Sequence, residues 1–256
     1  MTLLDHPSAA RTLGGVQPAP TALMRTLPNW LTASRVVMAA VFFAVLTWWR
    51  WEDSAASHGR TDWLLLFSAA LFIIGGLTDV VDGFLARRWH VESAFGRIMD
   101  PFADKILVIG AFVFLAGPDF WHEFENKQKI VMSGHGVQLS GLYPWMVVVI
   151  LGRELLVTSI RGVLEGQGVK FPADVWGKVK MFLQSVVPPT VLIATATTNV
   201  LPHESGSYWS NSWGRIAIDV TVWTMIVATV LSGVPYVVRC VGLLAEWNRN
   251  RREAQA

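Results

Sequence analysis

Asp79, Asp82, Asp100 and Asp104 are the residues of this chain that most need a physical reason to be where they are. Each falls within or beside an apolar run, where an unpaired charge costs about a few kcal/mol. Asp79, Asp82, Gly83 and Ala86 stand at i, i+3, i+4 and i+7. On a helix, that spacing puts two carboxylates and two small residues on one face. Asp100 and Asp104 are four apart and share a face in the same way. Asp100-Pro101 reads either as an N-cap with proline at the first helical position or as a proline kink in a longer helix. Both leave the two carboxylates near one helix end.

Four carboxylates converging in a low dielectric repel one another, and the remedies are raised pKa values with bound protons or divalent cations. Cations are the favoured reading. Oxygen ligands without His or Cys select Mg²⁺, Mn²⁺ or Ca²⁺ over zinc, and four carboxylates can hold a pair of ions. Two such ions form the usual clamp for phosphoryl displacement, stabilising the entering and the leaving oxygens. Gly83 and Gly96 then give room for a bulky group such as a nucleotide beside the helices, and Arg87 can meet phosphate oxygens. Taken singly, Gly83 also reads as helix packing, Arg87 as a membrane anchor, and Asp104 with Lys105 as an ion pair at a helix end.

The elements that carry these residues are transmembrane. The 256 residues are 52% hydrophobic and 16% charged, with a mean hydropathy of +0.41, too apolar for an ordinary soluble domain of that length. Of the 13 Trp, all but Trp223 fall near the ends of apolar runs, where an indole sits at headgroup depth. Runs long enough to cross the hydrocarbon occur at 32–49, 63–82, 101–118, 142–164, 179–198 and 216–241. They lack the alternation of barrel strands. The expected fold is therefore an all-α membrane protein, a six-transmembrane-helix bundle. An even number of spans puts both termini on one side. The opposite loops hold only Arg50, Arg60, Lys127, Lys129 and Arg215 of the 21 basic residues, so the terminal side is cytoplasmic.

Residues 1–27 read as a disordered leader without a secretory signal, 28–245 as the catalytic domain and 246–256 as a basic cytoplasmic tail whose Arg249, Arg251 and Arg252 suit anionic membrane lipids. Residues 119–141 read as a non-cytoplasmic loop. The single cysteine, Cys240, excludes an internal disulfide. The net charge of +2 is small, and no nucleic-acid partner is expected.

A second set of charges lies on the fourth span, the cytoplasmic connection after it and the fifth span. Arg153, Arg161, Lys178 and Lys180 could together grip a phosphate, which favours a phosphorylated acceptor over serine, choline or free inositol. The competing reading pairs Glu154 with Arg161, two turns away, and leaves Lys178 and Lys180 as ordinary loop charges.

The run Asp79-Val80-Val81-Asp82-Gly83-Phe84-Leu85-Ala86-Arg87, eight residues, Gly96, three residues, Asp100, three residues, Asp104 resembles D-x2-D-G-x2-A-R-x8-G-x3-D-x3-D, the signature of the CDP-alcohol phosphotransferases. Three further stretches look like the branch that makes phosphatidylglycerol phosphate: Pro28-Asn29-Trp30-Leu31-Thr32 with Arg35, Asp100 to Lys105, and Arg153-Glu154 with Arg161 followed by Gly177 to Lys180 and Gln184. Met181 stands where that branch commonly has Thr.

The resemblance implies the CDP-alcohol phosphotransferase type of bundle, often a homodimer, with a two-metal site for Mg²⁺ or Mn²⁺ open to the cytoplasm. It implies that Asp79, Asp82 and Asp100 ligate the metals, with Asp104 near the second ion as general base. Asn29, Thr32, Gly83, Ala86, Arg87 and Gly96 would lie along the nucleotide and pyrophosphate, and Lys105, Arg153, Arg161, Lys178 and Lys180 along the acceptor phosphate. The substrates so implied are CDP-diacylglycerol and glycerol 3-phosphate. The alternatives are inositol phosphate or phosphatidylglycerol as acceptor, and, from another class, an ion-coupled transporter.

Overall fold

In the computed structural model, residues 22–51, 60–89, 94–123, 136–166, 175–198 and 213–253 are described. They form six long helices: α1 Ala22–Trp48, α2 Trp63–Trp89, α3 Ala94–Leu115, α4 Pro144–Gly166, α5 Val175–Thr197 and α6 Trp213–Glu253. A short antiparallel hairpin lies between α3 and α4, with strand β1 at Trp121–Glu123 and strand β2 at Gly136–Gln138.

Four helices carry segments long and apolar enough to cross a membrane: Trp30–Trp48, Trp63–Val81, Gly177–Thr197 and Trp213–Gly242. The protein is an integral membrane protein. Helix α3 contributes a shorter apolar segment, Lys105–Leu115, and α4 carries Arg153, Glu154 and Arg161 in its middle. Charge, rather than length, separates α4 from the other four.

Helix α1 packs on α2 and α3, α2 on α5, and α6 on both α5 and α4. Phe42, Leu65, Phe112, Met146, Val187 and Val222 are fully buried between them. Ser68, Thr195, Thr229 and Ser232 are buried among these apolar side chains, as small polar residues are where transmembrane helices approach closely. Trp48, Trp63, Trp145 and Trp213 stand exposed where α1 ends and where α2, α4 and α6 begin, as an aromatic belt requires. Trp49 and Trp51 depart from that expectation, since both are buried. The Trp49 Nε1–H donates to Asp62 Oδ2 at 2.8 Å, and Asp62 Oδ1 accepts from the amides of Leu64 and Leu65 at 2.9 and 3.2 Å. Asp62 is thus the N-cap of α2, and Trp49 is held by the cap rather than by the interface.

The end of the bundle that carries the hairpin is locked by Arg215. Its guanidinium grips the Asp219 carboxylate through Nε and Nη2, each at 3.0 Å, and Nη1 donates to the carbonyls of Gln138 and Leu139 at 2.8 and 3.3 Å. Gln138 and Ser140 in turn donate to the carbonyl of Leu115, the last residue of α3, at 2.8 and 2.5 Å. Gly141 has a φ of +67°, and a Cβ there would stand 2.8 Å from Ile218 Cγ2, so glycine is required on both counts.

Several sequence boundaries move. Residues 22–27, assigned to the leader, begin α1; Ala22, Leu23 and Met24 are strong helix formers. Residues 1–21 lie outside the described residues. Helix α3 starts at Ala94 instead of 101, which selects the longer helix through Pro101 over the N-cap reading. Pro101 supplies no N–H to the carbonyl one turn earlier, yet the helix continues across it. Residues 246–253 of the expected tail continue α6, and 254–256 lie outside the described residues. The 119–141 segment contains the hairpin, whose inner part, 124–135, is likewise outside.

Candidate active site

Helix α2 is continuous through the acidic segment, so Asp79, Asp82, Gly83 and Ala86 occupy one face of it. Asp100 and Asp104 lie one turn apart on α3, which starts after only residues 90–93. That short connection keeps the end of α2 and the start of α3 close. Of the four aspartates, Asp79 alone has a described side chain. The side chains of Asn29, Asp82, Ala86, Arg87, Asp100 and Asp104, and the surroundings of Gly96, lie outside the description.

Asp79 is bound to α1. Its Oδ1 lies 2.5 Å from Arg35 Nη1, with the guanidinium 1% exposed and the carboxylate 39%. Thr32, one turn before Arg35 on α1, is also buried. Arg35 entered the sequence reading only as part of a motif, with no role. Its buried cation meets the first carboxylate of the acidic set, and the half-exposed carboxylate keeps a side open to a ligand.

The second group of charges gathers around Glu154. Lys180 on α5, only 2% exposed, and Arg153, 12% exposed, both pair with Glu154 Oε1 on α4; the Arg153 Nη1 contact is 3.1 Å. The charge of Lys105 also acts on the Lys180–Glu154 pair. Lys105 itself lies on α3, directly after Asp104, with Nζ 3.5 Å from Thr158 Oγ1 of α4. Arg153 and Lys180 thus meet one carboxylate, and Lys105 reaches the next turn of α4 from α3, which brings cations from three helices to the same stretch of α4.

Arg161 completes the group from the next turns of α4. Its Nη2 donates to Tyr236 Oη on α6 at 3.2 Å, while its Nε is buried with no hydrogen-bond partner among the described residues. The alternative pairing of Glu154 with Arg161 is therefore not the one adopted. Lys180 is a buried helical residue rather than a loop charge, because α5 starts at Val175. Lys178 is exposed on the same helix and is not drawn into the cluster. Gln184, one turn beyond Lys180, is 5% exposed and its Nε2 also lacks a partner among the described residues.

The acidic set fits a hard divalent cation by its donor chemistry, since every candidate ligand is a carboxylate oxygen. Among the described side chains, which include only Asp79 of the four, no group of three acidic, His or Cys residues clusters. A family model for CDP-alcohol phosphatidyltransferases matches residues 25–234. The chain belongs to that family. Within the CDP-alcohol phosphatidyltransferases, it is 31% identical over 217 residues to the CDP-diacylglycerol--glycerol-3-phosphate 3-phosphatidyltransferase of Bacillus subtilis, covering 83% of this chain and 94% of that protein. It is also 31% identical over 226 residues to a probable phosphatidylglycerophosphate synthase of Mycobacterium tuberculosis, covering 88% and 86%. A similar relative from Arabidopsis thaliana, CDP-diacylglycerol--glycerol-3-phosphate 3-phosphatidyltransferase 2, is 28% identical over 228 residues and covers 82% of each chain. The match spans α1 to α6 and so includes both charge clusters. Ser232 and Tyr236, which hold the arginines of this family member, went unnoticed in the sequence. The available signal was two polar residues at i and i+4 inside the apolar run of α6.

Proposed function

We propose that the protein transfers the phosphatidyl group of CDP-diacylglycerol to glycerol 3-phosphate, releasing CMP and phosphatidylglycerophosphate. The observation that carries this reading is the position of Lys105. It follows Asp104 on the acidic helix and reaches toward α4, where Arg153, Glu154 and Lys180 meet, so a phosphate held there lies beside the acidic set. Cations on three helices suit a doubly charged phosphate monoester better than a neutral alcohol.

Asp79, Asp82, Asp100 and Asp104 would hold two Mg²⁺ or Mn²⁺ ions. When bound, these supply charge neutralisation at the pyrophosphate and at the leaving CMP. The chain's own part is positioning. Arg35 fixes Asp79 in one orientation. Asn29, Thr32, Gly83, Ala86, Arg87 and Gly96 are assigned to the nucleotide and its phosphates. Lys105, Arg153, Arg161 and Lys180 hold the acceptor phosphate, with Lys178 at the margin. A hydroxyl of the acceptor attacks the lipid-side phosphorus as the bond from that phosphorus to the CMP oxygen breaks, and Asp104 takes the hydroxyl proton. Holding both reactants removes much of the entropic cost of a bimolecular step.

The proposed setting is a six-span bundle in the cytoplasmic membrane, both termini and the site facing the cytoplasm, with a homodimer as its assembly. The excess of Lys and Arg on the terminal side supports that orientation. Purified protein is expected to release CMP from CDP-diacylglycerol only when glycerol 3-phosphate and Mg²⁺ or Mn²⁺ are both present, and Asp104→Asn is expected to abolish turnover. Full activity of that variant would remove Asp104 as the base. Product formed instead from inositol phosphate or phosphatidylglycerol, read by mass, would reassign the acceptor.

A further inference from the structure

Two arginines from one helix would ordinarily point their charges apart, since nothing screens them near hydrocarbon. Arg153 and Arg161 do the opposite. Both guanidinium carbons lie close to the ring of one buried tyrosine, Tyr236 of α6, at 5.9 and 6.0 Å from its centroid. The ring's quadrupole attracts each of them, and more strongly where water is excluded. The phenol oxygen accepts from Arg161 Nη2 at 3.2 Å, and one turn earlier Ser232 Oγ accepts from Arg153 Nε at 3.2 Å. Ser232 Oγ in turn donates to the Thr229 carbonyl at 2.9 Å, which fixes its lone pairs toward Arg153. The Arg153 stem lies against α6 at Gly233, between them, with Cγ 3.4 Å from where a Cβ would stand, an ordinary van der Waals distance.

Arg153 has Nε on Ser232 and Nη1 on Glu154. Arg161 has Nη2 on Tyr236, while its buried Nε has no partner among the described residues. A buried guanidinium donor left open costs free energy unless a ligand takes it, and a planar N–H of this kind is suited to a phosphate oxygen. We propose that Ser232 and Tyr236 are positioning residues that converge Arg153 and Arg161 on the phosphate of the acceptor, so that α6, which carries none of the four signature aspartates, sets acceptor affinity. This rests on the reading of that site as the acceptor phosphate subsite.

Tyr236→Phe keeps the ring and removes only the hydroxyl, and Ser232→Ala removes only the acceptor for Arg153. Losing one hydrogen bond to a charged group corresponds to roughly a tenfold to hundredfold change in affinity. Each variant is therefore expected to raise the KM for glycerol 3-phosphate about that much while the KM for CDP-diacylglycerol moves less than about twofold. Tyr236→Leu, which also removes the ring, is expected to raise it further. In a double-mutant cycle, Tyr236→Phe is expected to cost little once Arg161 is Met, because the residue acts through that arginine. Equal increases in both KM values, no increase, or full additivity with Arg161→Met would overturn the proposal.

Inorganic phosphate alone gives a readout independent of the reaction. It is expected to raise the unfolding temperature of the wild type, and to do so less for Tyr236→Phe and Ser232→Ala. Phosphate protection that is absent from the wild type, or equal in the variants, would also overturn it. Protein that shows this phosphate behaviour but makes no phosphatidylglycerophosphate would instead refute the reaction assigned above and leave the α6 assignment standing.

Discussion

Replacing Glu154 by Gln tests whether its carboxylate is the counter-ion that makes the cation cluster tolerable. Lys180 is 2% exposed and Arg153 12%, and both share Glu154 Oε1, which is itself on a residue 18% exposed. Glutamine keeps the size and one carbonyl acceptor but removes the charge, leaving Lys180 as a buried ammonium facing two other cations. Removing one partner of a buried pair costs about 3–5 kcal/mol, and the retained amide contact argues for the lower end. A loss of about 3 kcal/mol corresponds to roughly 6–12 °C in unfolding temperature for a chain of this size. The assay is thermal unfolding of detergent-solubilised protein. The same measurement with the double variant Glu154→Gln/Lys180→Met should recover most of the loss, because exchanging both partners of a buried pair for apolar or neutral groups is often close to neutral. Added inorganic phosphate should rescue Glu154→Gln by more than it stabilises the wild type, its oxygens taking the place of the missing carboxylate. Wild-type stability in the single variant, or a double variant whose cost is the sum of the two single costs, would refute the counter-ion argument.

Gln184→Met should raise stability by roughly 1–3 kcal/mol, since it removes a buried amide nitrogen that has no partner among the described residues; the same variant should lose activity if the amide meets a substrate, and the two effects are read by unfolding and by CMP release. Asp62→Ala removes both a helix cap and the acceptor for Trp49. It should cost about 2 kcal/mol in unfolding while leaving the KM for both substrates unchanged, because Asp62 lies at the opposite end of α2 from Asp79 and Asp82.

The acidic face was legible because the helical period and the fixed gaps of the signature both act over short distances along the chain. Asp79 and Asp82 need only a continuous α2 to share a face, and α2 is continuous. What the sequence could not display is which distant residue answers each charge. Glu154 could pair with Arg161 by spacing alone, and the choice of Lys180 depends on how α4 and α5 are both packed against α3 and α6. Arg35 meets Asp79 only because α1 and α2 lie together. Tyr236 was unreadable as a site residue for the same reason, as an aromatic inside an apolar run is usually lipid-facing or core. Trp49 shows the reverse failure: its place at the end of an apolar run fitted an interfacial indole, but the neighbouring cap of α2 claimed its N–H.

Helix α6 runs for 41 residues, of which Trp213–Gly242 is the apolar span. The rest, up to Glu253, adds about 16 Å at 1.5 Å per residue without a break in the backbone ladder. A reporter protein fused after Glu253 would therefore be carried at the tip of a stiff stalk and is expected to spare the proposed site, which a fusion at the start of α1 would crowd.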